Sequence, residues 1–597
     1  MKKYIFFSLL VLITGLTACD EDFLNRYPQT SISPEAFFNT EEDLALYING
    51  LLSMPDRYSY LNDQNTDNAA TTGAVEMKTI MTGSTTSENI TGGWSWSRLR
   101  DINYFLDNYQ KAEVSAEVKN HYAGLARYYR ALFYMEKVKR FSDVPWYGSA
   151  LGANDETLYK TQDPRTMVVD SLMADLEFAN NHVRENVDAG TPGKWAVKIY
   201  YARTALYEGS YRKYHSELNL QGSAQAFLEK AAALAMEIKA SGKFQIYNTG
   251  KPEQDYASLF NAQDLTSNKE VILVNAFDPV KNRSQNINSV VFGEYEQSPA
   301  RDLVQTYLMK DGSRFTDQPG YSQFDFVTEF KNRDPRLSQT LVYPGWIREP
   351  ETSAYILRLN KNFTGYHQLK GYANTTITTL NQGIDFPAYR YAEALLILAE
   401  AKAELNTLTQ SDLDGSINLL RRRVGMPDLS LAIANANPDA ILAKKYPTLT
   451  GSNLGVLLEI RRERRVEFAF ENTRFDDLMR WNAGKLLTNI PEGLYFSGLG
   501  KYDLTGDGIE DIILIGKDAT IPEEANKEKN SLGKALIYYK TGAFGEDVTV
   551  YLKNGSSGGS TVTETTSRTF EEPKYYYRPI PQTQIILNPN LKQVFGW

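Results

Sequence analysis

Apolar side chains recur every three or four residues in several stretches of this chain, the spacing of an amphipathic helix. The clearest stripe lies in a region predicted to be helical from Arg98 to about Arg140: Tyr122, Leu125, Tyr129, Leu132 and Phe133. Further helices are predicted over residues 165–184, 194–214, 223–241, from 390 onward, 412–424 and 453–483. Several form pairs of about 35–45 residues, which favours a tetratricopeptide-like solenoid, although the period is irregular.

Between the helices lie segments without a sustained period. Residues 250–380 and 494–570 are rich in turn-forming residues, with short apolar runs at 271–274 and 512–515 that predict strands. Residues 56–93 read as a long polar loop that ends at Trp94-Ser95-Trp96. The pattern predicts a mainly α fold with a loop-rich half and few short strands.

The start of the chain has the layout of an export signal. Lys2 and Lys3 precede a short apolar run, and Leu16-Thr17-Ala18-Cys19 resembles the cleavage site of a bacterial lipoprotein signal. Cys19 is the single cysteine in the sequence, which favours lipidation over a structural role, with an ordinary secreted protein as the alternative. We therefore expect a signal peptide over residues 1–18 and a lipidated tether over 19–33.

Three acidic residues, Asp20, Glu21 and Asp22, follow this cysteine. They resemble the surface-export signal of Bacteroidetes lipoproteins, and a simple charged tether is the alternative reading. The resemblance implies the outer face of the outer membrane. After Cys19 no apolar run reaches membrane-spanning length, so the lipid is the expected membrane contact.

The composition argues against several classes of function. The net charge of −9 and the lack of a basic aromatic cluster argue against nucleic-acid binding. Four histidines leave little for a histidine-rich metal site or a catalytic triad, and no nucleotide-binding loop, hydrolase elbow or zinc-protease motif occurs. The 38 tyrosines serve cores and sugar-binding surfaces alike, so they favour a binding surface only weakly.

Five sequence motifs in order resemble the RagB/SusD family of nutrient-uptake lipoproteins. They are the helix at 122–132 with its Phe141-to-Pro145 exit, Arg333-Asp334-Pro335-Arg336, the stretch 389–401, the stretch 463–481, and the closing residues 579–581 with 588–589. Asn472 stands where the family has glycine, and asparagine is the next-best residue for a left-handed turn.

The resemblance implies a helical fold with four tetratricopeptide-like units supporting a variable, loop-rich half. It implies a single domain over residues 34–597, with the helical scaffold at about 34–245 and 386–485 and variable segments at about 250–380 and 494–570. It also implies a lid on a SusC-like TonB-dependent transporter that captures an oligosaccharide without chemistry on it. No catalytic residue is predicted.

One helix column carries Glu463, Glu467 and Glu471, four residues apart. Stacked carboxylates destabilise a helix unless they are paired, so we predict a buried ion network. The nearby partners are Arg461, Arg464, Arg465, Arg474 and Arg480. The alternative is a carboxylate pair of a glycoside hydrolase, which would face across a cleft.

The segment from Asp503 to Asp511 resembles the front of a calcium loop. Candidate ligands are Asp503, Thr505, Asp507, the Ile509 carbonyl and Asp511, with Gly508 at the sharp turn. Leu514 stands where such loops carry a bidentate glutamate, and a plain Asp/Gly turn is the alternative. No cofactor is required, and a structural calcium ion is the single candidate.

The predicted ligand contacts are aromatic residues in loops: Trp94, Trp96, Trp346 and Tyr295. Their rings could stack on the apolar faces of sugars, and packing in the core is the alternative for each. Three functions stay open: a surface glycan-binding lipoprotein, a lipid-anchored helical glycoside hydrolase, and a scaffold that captures a non-glycan nutrient such as a peptide.

Overall fold

The computed structural model describes residues 37–83, 85–292, 297–376 and 381–597. The predicted signal peptide, Cys19, the tether and Tyr295 lie outside these residues. Among the described residues, no helix combines the length and the apolar character needed to cross a membrane.

The molecule is mainly helical, as predicted. The α-helices in chain order are α1 Glu41–Gly50, α2 Glu76–Thr82, α3 Ser97–Asn108, α4 Ala116–Phe141, α5 Arg165–His182, α6 Lys194–Tyr214, α7 Ala224–Ala240, α8 Ser258–Asn261, α9 Ile287–Val291, α10 Arg301–Thr306, α11 Phe326–Glu329, α12 Arg336–Thr340, α13 Tyr391–Glu404, α14 Gln410–Asp414, α15 Ile417–Arg423, α16 Leu431–Ala436, α17 Ala440–Lys445, α18 Leu454–Glu467, α19 Arg474–Arg480 and α20 Gln582–Leu587.

Short strands form small sheets. They are β1 Ala69–Thr71, β2 Val271–Asn275, β3 Gln297–Pro299, β4 Phe386–Arg390, β5 Glu492–Phe496, β6 Gly500–Tyr502, β7 Ile512–Gly516, β8 Ile537–Gly542, β9 Val550–Tyr551 and β10 Gly559–Val562. Antiparallel pairs join β1 to β3, β2 to β4 and β5 to β10. A four-stranded sheet has the order β6-β7-β8-β9, with β6 antiparallel to β7 and the other pairs parallel.

Helix starts follow local capping chemistry. The Thr40 hydroxyl accepts a hydrogen bond from the Asp43 amide at 3.2 Å, and the Asp43 carboxylate accepts one from the Thr40 amide at 2.9 Å, so α1 begins with a capping box. At α4 the Ser115 hydroxyl accepts a hydrogen bond from the Val118 amide, a simple N-cap. The long helices then pack in pairs, α4 on α5 and α6 on α7, with α13 against α7.

Three predicted helical stretches are each two helices. The region from Arg98 to Arg140 contains α3 and α4, 412–424 contains α14 and α15, and 453–483 contains α18 and α19. The last break occurs where Phe470 and Asn472 take left-handed backbone angles, with φ of 61° and 59°. An α-helix cannot continue through such residues. The predicted loop at 56–93 contains β1, α2 and a 3₁₀ helix over Arg57–Asn65.

Two hydrophobic clusters form the core. The first joins the long helices of the scaffold, and the second lies in the loop-rich half and contains Trp346. Helix α18 and the turn after it connect them, because Val456 belongs to the first cluster while Val466 and Phe470 belong to the second. A large cleft opens in the loop-rich half, beside this second cluster.

Candidate ligand-binding site

A cleft of about 1290 Å³ opens in the loop-rich half of the molecule. Its walls come from residues 253–261 at α8, from the segment 343–349 that follows α12, and from the turn at 505–507. Pockets for drug-sized molecules measure roughly 300–1,000 Å³. The cleft therefore has room for an oligomeric ligand.

A tight turn over residues 343–346 forms one wall of this cleft. Pro344 occupies its second position, and Gly345 occupies the third with φ of 88°. The Trp346 amide donates a hydrogen bond to the Tyr343 carbonyl at 3.0 Å. Proline followed by a glycine at positive φ is the pattern of a type II turn, so this turn places two aromatic residues at the cleft.

Trp346, a predicted ligand contact, is mostly packed into the protein. Its side chain is 7% exposed, and its ring lies 5.5 Å from Phe292. Tyr355 and Tyr372 approach it edge-on at 5.7 and 6.1 Å. The structure places Trp346 at the cleft, but most of its ring surface is occupied by neighbouring rings and leaves little area for a ligand.

Tyr343 and Phe330 are half-buried aromatic residues that line the cleft beside Trp346. Burial and the nearby Glu253 carboxylate both raise the pKa of the Tyr343 hydroxyl, so this group is a neutral hydrogen-bond donor and acceptor. Neither residue is among the aromatic contacts predicted from the sequence. The Pro344-Gly345 pair was the available signal, because a type II turn fixes the position of both of its end residues.

Polar groups complete the walls of the cleft. Glu253, Gln254 and Asp507 are exposed and face solvent. The side chains of Gln339 and Asn374 form hydrogen bonds with the backbone. Gln339 donates to the Pro252 and Pro335 carbonyls. Asn374 donates to the carbonyl of residue 347 and accepts from the amide of residue 349. Glu253 pairs with exposed Lys310 at 3.2 Å, and Asp507 accepts one amide hydrogen bond, but the carboxylates of both residues also face solvent, where they could contact hydroxyls of a ligand. The Gln339 and Asn374 amides hold the walls in place.

The predicted calcium loop folds around its own carboxylates. Asp503 accepts hydrogen bonds from the amides of residues 505, 506 and 508 at 2.6–2.9 Å, Asp511 from 504 and 505 at 2.8 Å, and Asp507 from 509 at 2.9 Å. Within the described part of the chain, no cluster of three or more His, Cys, Asp or Glu side chains is arranged to hold a metal. Calcium binding through Asp503, Thr505, Asp507, Ile509 and Asp511 stays a prediction.

This loop packs directly against the aromatic turn, so the two form one continuous stretch of the cleft wall. At Gly506, which has φ of 80°, an added Cβ would lie 3.0 Å from the Pro344 Cβ. Thr505 and Asp507 line the cleft together with Trp346. The structure therefore brings one predicted aromatic contact and two residues of the predicted calcium loop to the same cleft.

Trp94 and Trp96 lie at a different place. They line a separate cavity of about 430 Å³, which shares no lining residue with the large cleft. Trp94 is 8% exposed and packs edge-on against Phe141 at 4.8 Å. Trp96 is half-buried and contacts Trp94, Phe133 and the α4 residue Tyr134. Both rings thus pack on α4.

Glu463, Glu467 and Glu471 form a buried ion network, as predicted. We define the central ion network by ten side chains that pair with one another at 3.4 Å or less: Glu270, Asp334, Glu463, Glu467, Glu471, Arg336, Lys370, Arg390, Arg421 and Arg423. Five negative and five positive charges balance. Burial raises the pKa of Glu467, but Arg423, Arg390 and Arg336 outweigh it and hold that pKa below its usual range.

The predicted partners of these glutamates were wrong. Arg464 and Arg480 bind Asp477, and Arg465 and Arg474 bind Asp67. Arg461 has its nearest carboxylate, Glu404, at 4.0 Å. Arg461 and Arg465 stand two residues from Glu463, and helical residues two apart face in different directions. The real partners come from other elements, and the network lies in the core instead of across a cleft.

Comparison with known proteins adds an independent finding. Residues 269–597, more than half of the chain, match the model of the SusD family. The chain is 22% identical to SusD-like protein P2 of Formosa agariphila over 83% of its length and 93% of that protein.

Solved structures share the fold. A SusD-like protein from Bacteroides fragilis superposes with a TM-score of 0.68 at 19% identity, covering 96% of this chain and all of that one. A second structure from the same organism, described as a SusD-like carbohydrate-binding protein, gives 0.65 at 22% identity and covers 93% of this chain and all of that one.

Proposed function

The chain belongs to the SusD family, and on that premise we propose that it is a cell-surface lipoprotein that binds a glycan and passes it to a SusC-like TonB-dependent transporter. The large cleft at the Tyr343–Trp346 turn is the proposed glycan site. Its ligand is an oligosaccharide, and the protein holds this ligand without cutting it.

The combination of aromatic and polar groups in this cleft carries the proposal. Tyr343 and Phe330 offer half-buried ring surface, and apolar ring faces are what the C–H faces of sugars stack on. Glu253, Gln254 and Asp507 offer exposed oxygen and nitrogen atoms for hydroxyl groups. A relative of similar fold is described as carbohydrate-binding, which supports the same function here.

Affinity electrophoresis and calorimetry with a panel of oligosaccharides test this site. The mature protein should be retarded by at least one glycan, and Tyr343→Ala and Phe330→Ala should remove the retardation. Tyr58→Ala is the matched control, because Tyr58 is 52% exposed and does not line the cleft. Unchanged retardation of both cleft variants would contradict the proposed position of the site.

A hydrolase and a peptide-capture protein are the competing functions. A hydrolase would need a carboxylate pair across a cleft, but Glu463, Glu467 and Glu471 form ion pairs with basic side chains in the central ion network. Incubation with the same glycans should release no reducing ends beyond a buffer control. Release of reducing ends that persists after repurification would establish the enzyme instead, and binding of oligopeptides without glycans would establish the third function.

The anchor and the transporter belong to the same proposal. Cys19 follows a lipoprotein-like signal and would carry the acyl chains, with Asp20, Glu21 and Asp22 directing export to the outer face. Radiolabelled palmitate should label the natural chain but not Cys19→Ala. Affinity purification from detergent-solubilised outer membranes should recover a TonB-dependent transporter. A mature protein free of acyl chains in the periplasm would overturn this part of the proposal.

A further inference from the structure

A third cavity, here called the basic cavity, lies between α4 and α19. Its volume is about 530 Å³, and it shares no lining residue with the large cleft. Five basic side chains line it: Arg98, Lys137, Lys139, Arg140 and Arg578. In a protein whose net charge is −9, such a concentration of positive charge needs a physical explanation.

Three of the five cations have carboxylate partners. Lys139 pairs with Glu136 at 2.9 Å and with Asp476 at 2.8 Å. Arg140 and Arg578 share a single carboxylate, Glu76. Lys139 and Arg140 also lie in the last turn of α4, where positive charge stabilises the helix dipole. These three residues are accounted for by the fold.

Arg98 and Lys137 are different, because neither forms an ion pair with any carboxylate in the part of the chain that the structure describes. Arg98 is half-buried and donates to the Leu51 carbonyl. With five basic groups against Glu136, Asp476 and Glu76, the cavity keeps an excess of two positive charges.

Lys137 is the more unusual of the two. It is 6% exposed, and its ammonium group donates to the carbonyls of Gly93 and Ser95. The rings of Phe133 and Trp96 lie 4.8 and 5.0 Å from it. An ammonium has three N–H donors, so one remains for a further acceptor. Burial, and then repulsion from Arg140, lowers the pKa of Lys137 to about 8.

We infer that the basic cavity is a binding site for a small organic oxyanion, a carboxylate or sulfate carried on a ring of about monosaccharide size. Arg98 and Lys137 would hold the charged group. Phe133, Phe475 and Tyr576 line the same cavity and supply apolar surface for the ring. Exposed Ser53 and Glu136 are also among its lining residues, so the cavity reaches solvent. An anion here would neutralise the excess charge in a partly desolvated place, where electrostatic attraction is stronger than in water.

Thermal shift and calorimetry on the mature protein test the inference, with sodium sulfate, sodium glucuronate and glucose as probes and sodium chloride at matched ionic strength as reference. Sulfate and glucuronate should both bind, and glucose should not. Lys137→Met and Arg98→Gln should each weaken the anions about tenfold or more, the cost of losing a charged hydrogen bond. Arg100→Gln is the matched control, since Arg100 lies on the same helix and outside the basic cavity.

A pH series separates binding by Lys137 from a purely structural role. The charged groups that line this cavity with Lys137 are Arg98, Lys139, Arg140, Arg578, Glu136 and Asp476. The pKa of Lys137 itself is lowered to about 8. Burial also lowers the pKa of Arg578, but a guanidinium stays protonated in this range. Burial acts in the same direction on Lys139, but Asp476 and Glu136 outweigh it and raise the pKa of Lys139 well above its usual value. Anion affinity should therefore fall above about pH 8, by up to about tenfold per pH unit, and Lys137→Met should abolish this dependence.

The inference is overturned if neither anion binds better than chloride, or if folded Arg98→Gln binds both anions as the natural protein does. Arg98 is half-buried and bonds one backbone carbonyl, so this variant should fold even if Lys137→Met does not. None of these outcomes depends on the large cleft, because the two cavities share no lining residue.

Discussion

Replacing Arg390 by methionine should destabilise the whole protein severely. Arg390 is 1% exposed, and its guanidinium binds both oxygens of Glu471 at 2.7 and 2.9 Å. It also reaches Glu270 at 2.9 Å and Glu467 at 3.1 Å. Methionine fills much of the volume but leaves the central ion network with five carboxylates and four cations. Removing one partner of a buried ion pair costs about 3–5 kcal/mol.

A loss of about 3–5 kcal/mol is a large share of the free energy of unfolding of a typical domain. Domains are stable by only about 5–15 kcal/mol, so the midpoint of urea unfolding should fall sharply. Arg422→Met is the matched control. Arg422 lies between the network residues Arg421 and Arg423 in the sequence and pairs with Asp428. Both side chains of this pair are about half exposed, at 46% and 45%. Exposed pairs contribute about 0–1 kcal/mol, so this variant should unfold close to the natural protein.

Urea unfolding followed by circular dichroism measures both variants. Charge balance can be restored with the double variant Arg390→Met/Glu471→Gln, which removes one carboxylate that Arg390 had bound. If the argument is right, the double variant recovers part of the loss, because coupled residues in one network are not additive. Equal stability of the Arg390 and Arg422 variants, or additive losses in the double variant, would refute the reasoning.

Other expectations follow from the cleft, the loop and the network. Trp346→Ala should lower the free energy of unfolding by about 3–5 kcal/mol because the ring is 7% exposed. Tyr343→Ala should lower stability less but weaken glycan binding more, which urea unfolding and affinity electrophoresis measure separately. The reverse pattern would contradict the burial of Trp346 and the partial exposure of Tyr343 in the cleft. Calorimetry should show calcium binding that Asp507→Ala weakens, and flat traces for both proteins would end the calcium prediction. Folding lowers the pKa of Glu467 from 4.5 to about 2, so the ionised carboxylate stabilises the folded protein above about pH 4.5, and this stabilisation is lost as the pH falls towards about 2. Unfolding curves at pH 6 and pH 3 measure the loss. Glu467→Gln should show a smaller difference between the two pH values.

The helices were predictable because their signals are local. Thr40 and Asp43 form a capping box within four residues, and the ring-rich stripe on α4 repeats within one element. The breaks inside the predicted stretches were harder. A left-handed Phe470 cannot be foreseen from its own sequence, because phenylalanine rarely adopts positive φ and tertiary contacts must hold it there.

The candidate site was predictable only in part, for the same reason. Trp346 was found through its loop position, but its degree of burial depends on Phe292 and Tyr372, which are distant in sequence. Tyr343 was missed because a tyrosine among 38 carries little information until its turn is seen beside the cleft. Likewise Arg336 and Arg390 could not be assigned as partners of Glu467 without the fold.

The position of the central ion network has a consequence for how the two halves of the molecule can diverge. Charge-assisted hydrogen bonds between buried side chains fix both the distance and the direction of a contact. The Nη1 atom of Arg336 donates to Glu463 and to Glu467. Arg336 comes from the loop-rich half, while Glu463 and Glu467 come from α18, which starts in the scaffold core. The loops around the cleft can therefore differ in shape while these buried contacts keep their orientation on the helices constant.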